Sequence, residues 1–421
     1  MATTRPKGTN DFLPEDTVKW RYVEGILRDM AEQYGFEEIR TPIFESTELF
    51  LRGVGETTDI VNKEMYTFED KGKRSITLRP EGTASTARAF IEHKMHGLPL
   101  PVKLYYMGPM FRYERPQKGR FRQFHQFGME AFGSADPALD SEIIAFAMEF
   151  YRRLGLTALK VRLNSVGCPK CRAEHKAKLQ DMLRPHLEEL CDDCRSRFEK
   201  NPLRIFDCKN EKCQTLIEGA PSITDCLCDD CKDHFEQVKA YLTAADIPFE
   251  VDPRLVRGLD YYTKTAFEII LDEIGAQSAI CGGGRYDGLI ADIGGQSMPG
   301  VGFALGMERV FAALDALGIE IPAEHGADVY CVALGEKARE KAFSWVIALR
   351  RAGIHAEMDY MAKSFKAQMK AADRVHARFV VICGDDELEK NEIIIKDMAD
   401  SHQDTATQEN VIEELIRRIQ K

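Results

Sequence analysis

Between Glu15 and Tyr34 the apolar residues Val23, Ile26, Leu27, Met30 and Tyr34 recur at steps of three and four, which gathers them on one face of a predicted helix. Gly35 supplies its stop, and a short strand over Glu37 to Arg40 then ends at Pro42. Ile76 to Leu78 reads as another short strand, followed beyond Pro80 by a helix over Ala84 to Lys94. Lys103 to Glu114 and Gln123 to Phe132 read as two strands joined by the polar turn Arg115 to Arg122, a long antiparallel hairpin. A strand alternates its side chains with period two, so Arg112 and Glu114 share one side of the first strand. Phe124, Gln126 and Glu130 share one side of the second. A face that met only solvent would not need an arginine, two acids, an amide and an aromatic ring.

The stretch from Ser165 to Tyr241 breaks this rhythm and reads as a cysteine-rich inserted module. Strand signals resume at Ala266 to Leu271 and Val301 to Leu305, with Gly282-Gly283-Gly284-Arg285-Tyr286 read as a loop between them. Further on, candidate strands Val329 to Leu334, Phe379 to Cys383 and Glu392 to Lys396 alternate with helices Glu336 to Ala352, Ser364 to His376 and Gln408 to Ile419. The expected organisation is a large domain over 1–325 carrying the insertion at about 165–241, a linker over Asp315 to Gly326, and a compact terminal α/β domain over 326–421. No internal repeat is visible.

Composition narrows the setting. The 421 residues are 44% hydrophobic and 30% charged, ordinary for a globular chain. No apolar run approaches the ~20 residues of a membrane helix, and Met1 to Pro6 has no signal-peptide core, so a cytoplasmic protein without membrane contact is expected. A formal charge of −11 argues against nucleic-acid binding by bulk attraction, leaving any RNA contact to local basic patches. Nine of the 12 cysteines fall between Cys168 and Cys231, which in a reducing compartment points to metal ligation before disulfides.

No Gly-x-x-x-x-Gly-Lys-Ser/Thr loop occurs, and in Gly300-Val301-Gly302 the third glycine, Gly306, comes one position late for a dinucleotide fingerprint. Three other segments carry weight in combination: the long helix with the strand ending at Pro42, Phe111-Arg112-Tyr113-Glu114 with the following strand, and Gly300 to Arg309. In order and spacing they resemble the three motifs of class II aminoacyl-tRNA synthetases, the first being the dimer-forming element. Arg257-Gly258-Leu259-Asp260-Tyr261-Tyr262-Thr263, Ala279 to Leu289 and Arg79-Pro80-Glu81-Gly82-Thr83 resemble signatures of the histidyl-tRNA synthetase family. That resemblance spans almost the whole chain. It implies an antiparallel-sheet catalytic domain, a terminal anticodon-binding domain, a homodimer, and histidine, ATP with Mg²⁺ and tRNA(His) as substrates.

By the same resemblance Arg112 holds the α-phosphate and the histidine carboxylate region, Arg309 the terminal phosphate, Glu114 and Phe124 the adenine, and Arg120 lies in the loop above the phosphates. Arg257 stands beside the α-phosphate, where related enzymes use a metal ion. Arginine suits these places because it stays charged and forks onto phosphate oxygens. Glu130 accepts from one imidazole nitrogen and Tyr262, beside Tyr261, meets the other, while Glu81, Thr83, Gln126 and Tyr286 hold the amino group. Arg257 and Tyr262 have opposite parity, which requires Arg257 to sit in a turn before the strand. His125, also of the other parity, reads as a packed structural histidine, and Met107, Met110 and Met129 as core fillers.

Cys168-x-x-Cys171, Cys191-x-x-Cys194, Cys208-x₄-Cys213 and Cys226-x-Cys228-x-x-Cys231 have the spacing of thiolate knuckles around one or two structural Zn²⁺ ions. The resemblance does not carry zinc, since this family is generally not zinc-dependent, and free buried thiols are the other reading. Lys363, Lys366, Lys370 and Arg374 form a basic stripe, in general a solvated helix face and in an anticodon-binding domain a tRNA contact. A non-catalytic relative, the histidine-binding regulatory subunit of ATP phosphoribosyltransferase, is the alternative. It typically lacks the terminal domain and the catalytic arginines, all of which are present here. A class II synthetase for threonine, proline or glycine is disfavoured by Glu130 with Tyr261 and Tyr262.

Overall fold

A computed structural model describes residues 3–55, 58–117, 119–272, 279–322 and 326–420. The chain divides into two compact units, Met1–Ile321 and Pro322–Lys421. The expected boundary between 325 and 326 abuts residues 323–325, and the expected lack of a leader rests partly on residues 1–2; both lie outside the described residues. The linker begins later than expected. Helix Met307–Ala316 takes in Asp315, because Val310, Ala313 and Leu314 keep its apolar face on the core.

The first helix, Pro14–Gln33, opens with Pro14, Glu15 and Asp16, residues suited to a helix N-terminus by fixed φ and by charge. It buries Val23, Leu27, Met30 and Ala31. Gly35 leaves it at φ +72°, a left-handed conformation that costs glycine little.

Eleven strands follow in the first unit: β1 Glu37–Glu38, β2 Phe44–Ser46, β3 Tyr66–Glu69, β4 Ser75–Leu78, β5 Val102–Phe111, β6 Gln123–Phe132, β7 Lys160–Ser165, β8 Phe249–Val251, β9 Thr263–Ile270, β10 Ala279–Arg285 and β11 Gly300–Gly306. Eight build one sheet in the order β1-β5-β6-β11-β10-β9-β7-β8, and β2-β4-β3 form a small separate sheet. The six central strands of the large sheet run antiparallel, and only the edge pairs β1–β5 and β7–β8 are parallel. The hairpin β5–β6 therefore lies inside the sheet, with β11 on its other side. One face of the sheet packs on helices Pro14–Gln33 and Pro137–Arg153 through Phe127, Met129, Phe146 and Phe303. The other face is left to carry polar groups.

Two readings of this region need correction. β5 ends at Phe111, so Arg112 and Glu114 lie beyond the regular strand, where the Glu114 amide turns back onto the Arg112 carbonyl at 2.8 Å. Gly282-Gly283-Gly284-Arg285 is strand, not loop. A Cβ on Gly282 would fall on the Arg257 guanidinium, one on Gly283 on Gly302 O, and one on Gly284 on Thr265 O. The triplet is glycine because neighbouring chain and a charged side chain press against it, not because it bends.

The insertion is helical throughout its described core, with Pro169–Leu183, Asp192–Lys200, Glu211–Leu216 and Asp229–Ala244 as its α-helices. The second unit holds β12 Val329–Leu334, β13 Ala356–Met358, β14 Phe379–Gly384, β15 Ile393–Asp397 and β16 Gln403–Ala406 in the order β13-β12-β14-β15-β16. Its first three strands are parallel and the rest antiparallel, with helices Glu336–Arg351 and Val411–Ile419 on the core of Val329, Trp345, Val381 and Leu415. β13, β16 and helix Asp385–Lys390 were not legible in the sequence, being too short for a period to show. Among the described residues no helix is long and apolar enough to cross a membrane.

Candidate active site

The polar face of the central strands floors an open cleft in the first unit. Parity positions its residues: on β6, Phe124 and Gln126 point into the cleft, and Glu130 lies on the same face, fully buried. Gly108 and Gly128 stand opposite Gln126 and Tyr106 across the hairpin. A side chain at Gly128 would collide with the Tyr106 ring, which leaves the Tyr106 hydroxyl room to reach Glu130.

Glu130 is the centre of one end. Thr83 Oγ1 donates to its Oε1 at 2.7 Å, Tyr106 OH to the same oxygen at 3.2 Å, and Tyr286 OH donates to Oε2. Burial dominates its titration and pushes the carboxyl up to about 8, against the three hydroxyl donors that favour the anion. Glu81 accepts from the Thr83 and Ala84 amides at 2.8 and 2.9 Å, so it caps helix Thr83–Glu92 while lining the cleft; burial raises its pKa too. Tyr261, Tyr262 and Tyr286 cluster here, their ring centroids 4.7 to 6.5 Å apart, and burial raises all three phenols. Gln126 Oε1 is buried without a hydrogen-bond partner among the described residues. A ligand group that can donate to it would remove a desolvation cost of ~1–3 kcal/mol.

The other end is cationic. Arg112 lays its guanidinium 5.3 Å from the Phe124 ring centroid and donates Nε to Pro80 O at 2.8 Å. Arg120 bonds Glu114 at 3.0 Å. Arg309 donates to Ala279 O, and burial lowers its pKa. Arg257 precedes β9, as parity required, and pairs with Glu268 on that strand while facing the Tyr262 ring at 6.0 Å. Burial works against its charge, but Glu268 more than restores it. Arg257 Nε is buried without a partner among the described residues. The cleft thus brings together Arg112, Arg120, Arg257 and Arg309 with Glu114 and Phe124, and Glu81, Thr83, Gln126, Tyr261, Tyr262 and Tyr286 with Glu130 beneath them.

Tyr106, Glu268 and Glu308 escaped sequence reading. Tyr106 shares the parity of Arg112, and Glu268 is the lone acid in Ala266 to Ile270, so both left a signal. Glu308 holds His125, accepting from its amide at 3.0 Å and facing its Nδ1 at 3.0 Å, with Trp20 and Phe12 packed on the ring. Met110 and Met129 are buried, and Met107 is half-buried against the same core.

Outside the cleft, eight cysteines gather as Cys168, Cys171, Cys228, Cys231 and as Cys191, Cys194, Cys208, Cys213. Cys226, expected among the ligands, belongs to neither group; Lys178 Nζ lies 3.5 Å from its sulfur. In the second unit Lys366, Lys370 and Arg374 are exposed on helix Phe365–Arg374. Lys363 is not on that helix: its amide is held by Asp359 at 2.7 Å in the preceding turn, so the expected four-residue stripe is three residues long.

Residues 8–310 match the family model described as histidyl-tRNA synthetase, and residues 328–418 match the anticodon binding domain. The chain belongs to the histidyl-tRNA synthetase family. A curated relative, the histidine–tRNA ligase of Desulforamulus reducens, is 56% identical over 413 residues, covering 98% of this chain and 99% of its own. The apo histidyl-tRNA synthetase of S. aureus superposes with a TM-score of 0.86 at 45% identity, covering 99% of this chain and 100% of its own. A Bacillus halodurans protein described as an ATP phosphoribosyltransferase regulatory subunit/histidyl-tRNA synthetase shares the fold, at TM-score 0.62 and 21% identity over 91% of this chain and 99% of its own. The large antiparallel-rich sheet is thus that of a class II synthetase, and the second unit is an anticodon-binding domain.

Proposed function

We propose that this protein joins L-histidine to ATP, giving histidyl-adenylate and pyrophosphate, and passes the histidine to the 3′ end of tRNA(His). The observation that supports it most is a fully buried carboxyl ringed by hydroxyls at one end of a cleft whose other end holds fixed arginines. Glu130 accepts the imidazole N–H, and the Tyr262 hydroxyl meets the second nitrogen. Gln126 and Glu81 take the ammonium group, with Thr83 and Tyr286 holding Glu130 in place.

The histidine carboxylate is already a nucleophile, so activation needs no general base. Its oxygen bonds to the α-phosphorus as the bond to the β-phosphate bridging oxygen breaks, and pyrophosphate leaves with its Mg²⁺. Negative charge grows on the α-phosphate oxygens during this exchange. Arg257 and Arg112 face it with guanidinium groups already held in place by Glu268 and Pro80 O, so little reorganisation is needed at the moment of reaction. Arg309 holds the terminal phosphate; Phe124 and Glu114 hold the adenine, and Arg120 covers the phosphates. Bringing both substrates into one geometry supplies the remaining acceleration.

The working form is a homodimer in the cytoplasm. Exposed Ile43, Phe44 and Phe68 on and beside the small sheet support an apolar partner surface. Lys366, Lys370 and Arg374, with Lys363 beside them, contact tRNA. The regulatory-subunit reading is weaker, because Arg112, Arg257, Arg309 and the second unit are all retained. The test is ATP–pyrophosphate exchange with each of the twenty amino acids. Exchange with histidine alone is expected; no exchange, or exchange driven by another amino acid, removes the proposal.

A further inference from the structure

The fold sorts eight of the insertion's nine cysteines into two tetrads, joining knuckles whose members lie 14 to 63 positions apart in sequence. In the first, Cys168 Sγ lies 3.6 Å from Cys171 Sγ and 3.9 Å from Cys228 Sγ. In the second, Cys191 Sγ lies 3.8 Å from Cys208 Sγ. Within each tetrad all four sulfurs lie within 4.8 Å of one another. These separations exceed a disulfide's S–S bond of ~2.05 Å by far. Four thiolates at ~2.3 Å around a tetrahedral Zn²⁺ stand about 3.8 Å apart, which is the spacing seen.

The backbone around the sulfurs is arranged for ligation as well. Cys168, Cys191 and Cys228 each precede the first residue of a helix, and Cys171, Cys194 and Cys231 lie in the first turn of the same helices. Helix N-termini favour negative charge. Backbone amides point at sulfur in both tetrads: Cys228 N to Cys171 Sγ at 3.1 Å, Cys191 N to Cys213 Sγ at 3.3 Å and Asn210 N to Cys208 Sγ at 3.4 Å. Around the first tetrad the apolar packing is small, with Cys171, Ile223 and Cys231 buried against Leu203 and Leu227, while its two helices anchor further along in larger cores through Leu179, Leu183, Phe235 and Val238.

The second tetrad closes a loop that reaches the cleft. Between Cys194 and Cys208 lie Asn201 and Arg204. Arg204 Nη1 donates to the Arg257 carbonyl at 2.7 Å, and Asn201 Nδ2 to Asp260 Oδ1 at 2.9 Å. The first tetrad begins at Cys168, directly after Val166 and Gly167, which exchange backbone hydrogen bonds with Lys264 at 2.7 and 3.0 Å. The two tetrads therefore grip the segment 257–264 from both ends. That segment carries Arg257, Tyr261 and Tyr262.

We propose that the insertion binds two structural Zn²⁺ ions, one per tetrad with Cys226 outside both, and that the second ion holds Arg204 so that Arg204 positions Arg257 in the cleft. The coupling rests on the activation reaction proposed above, whereas the metal count is read independently of any activity.

The chain purified without chelators is expected to hold two zinc ions, by elemental analysis, each in a four-sulfur shell at ~2.3 Å by zinc-edge X-ray absorption. Cys226→Ser should keep both, and Cys208→Ser with Cys213→Ser should lose one. Fewer than two ions in the unmodified chain, or nitrogen or oxygen in the shells, overturns the metal assignment even if the cysteine variants fail to fold. Arg204→Met should keep both ions but lower kcat of histidine-dependent exchange about tenfold or more, with KM for histidine nearly unchanged. An unchanged kcat overturns the positioning role, and so does a rise in KM without a fall in kcat.

Discussion

The cleft of the first unit and helix Phe365–Arg374 of the second both present cations, but they hold them differently. In the cleft Arg112 is tied to Pro80 O and Arg257 to Glu268, and both side chains are largely buried. On the helix Lys366, Lys370 and Arg374 stand in solvent on long flexible stems. A fixed guanidinium can be aimed at charge that exists only while a bond is changing, because its place is settled before the substrate arrives. A solvated ammonium meets the average field of a polyanion and is screened by salt within ~8–10 Å. Loss of a charge should therefore damage chemistry in the first region and binding in the second.

Arg257→Ala tests the first half most severely. With its guanidinium gone, Glu268 is left as an uncompensated acid facing the phosphates, so the variant adds repulsion where it removes attraction. Exchange kcat is expected to fall by about three orders of magnitude, with a much smaller change in KM for histidine. A variant that kept kcat and lost only histidine affinity would make Arg257 a binding group, and the contrast between fixed and solvated cations would fail.

Glu130→Gln probes the same region through a carboxyl that is fixed and not cationic. A carboxamide keeps the shape but cannot ionise when an imidazole N–H is presented to it, as Glu130 can, so kcat/KM for histidine should drop by a factor of about 10³. The titration gives a second readout. Burial raises the folded pKa to about 8, far above an exposed glutamic acid, so folding favours the protonated form. This contribution to stability is complete at pH below the unfolded value and declines as pH rises through the interval up to about 8. Denaturant unfolding should therefore show the parent chain losing a few kcal/mol over that interval relative to the variant, which has no proton to lose. Parallel pH profiles for the two proteins would show that Glu130 titrates as an exposed group does.

What the sequence disclosed follows the same division. Period two placed Phe124, Gln126 and Glu130 on one face of β6, and the structure finds them on the cleft side. It gave no warning that Gly282 to Gly284 form a strand, because the reason lies in what presses on them from Arg257, Gly302 and Thr265. Nor could spacing pair Cys168–Cys171 with Cys228–Cys231 or exclude Cys226, since that sorting is a property of helices brought together over some sixty residues. Lys363 shows the limit from the other side. Its spacing continues the stripe, but Asp359 holds its amide in a turn before the helix starts. Local period reads faces; it does not read what closes over them.

The smallest effect comes from the solvated side. Lys366→Glu, Lys370→Glu and Arg374→Glu together replace three cations on one exposed helix face with three anions, with little burial to disturb. If they meet tRNA phosphates, each lost contact removes roughly 0.7–0.9 from the slope of log affinity against log salt. KM for tRNA should rise about tenfold at moderate salt, and the gap from the parent chain should close as salt increases. Histidine-dependent exchange should not change, because no exposed cation of this helix takes part in forming the adenylate. Lys363→Glu alone should show a weaker version of the same behaviour, since its backbone is anchored off the helix axis. If exchange fell along with tRNA charging, or if the salt slope stayed as steep as in the parent chain, these cations would not be acting through screened contact with phosphate. The distinction between aimed and solvated charge would then need another basis.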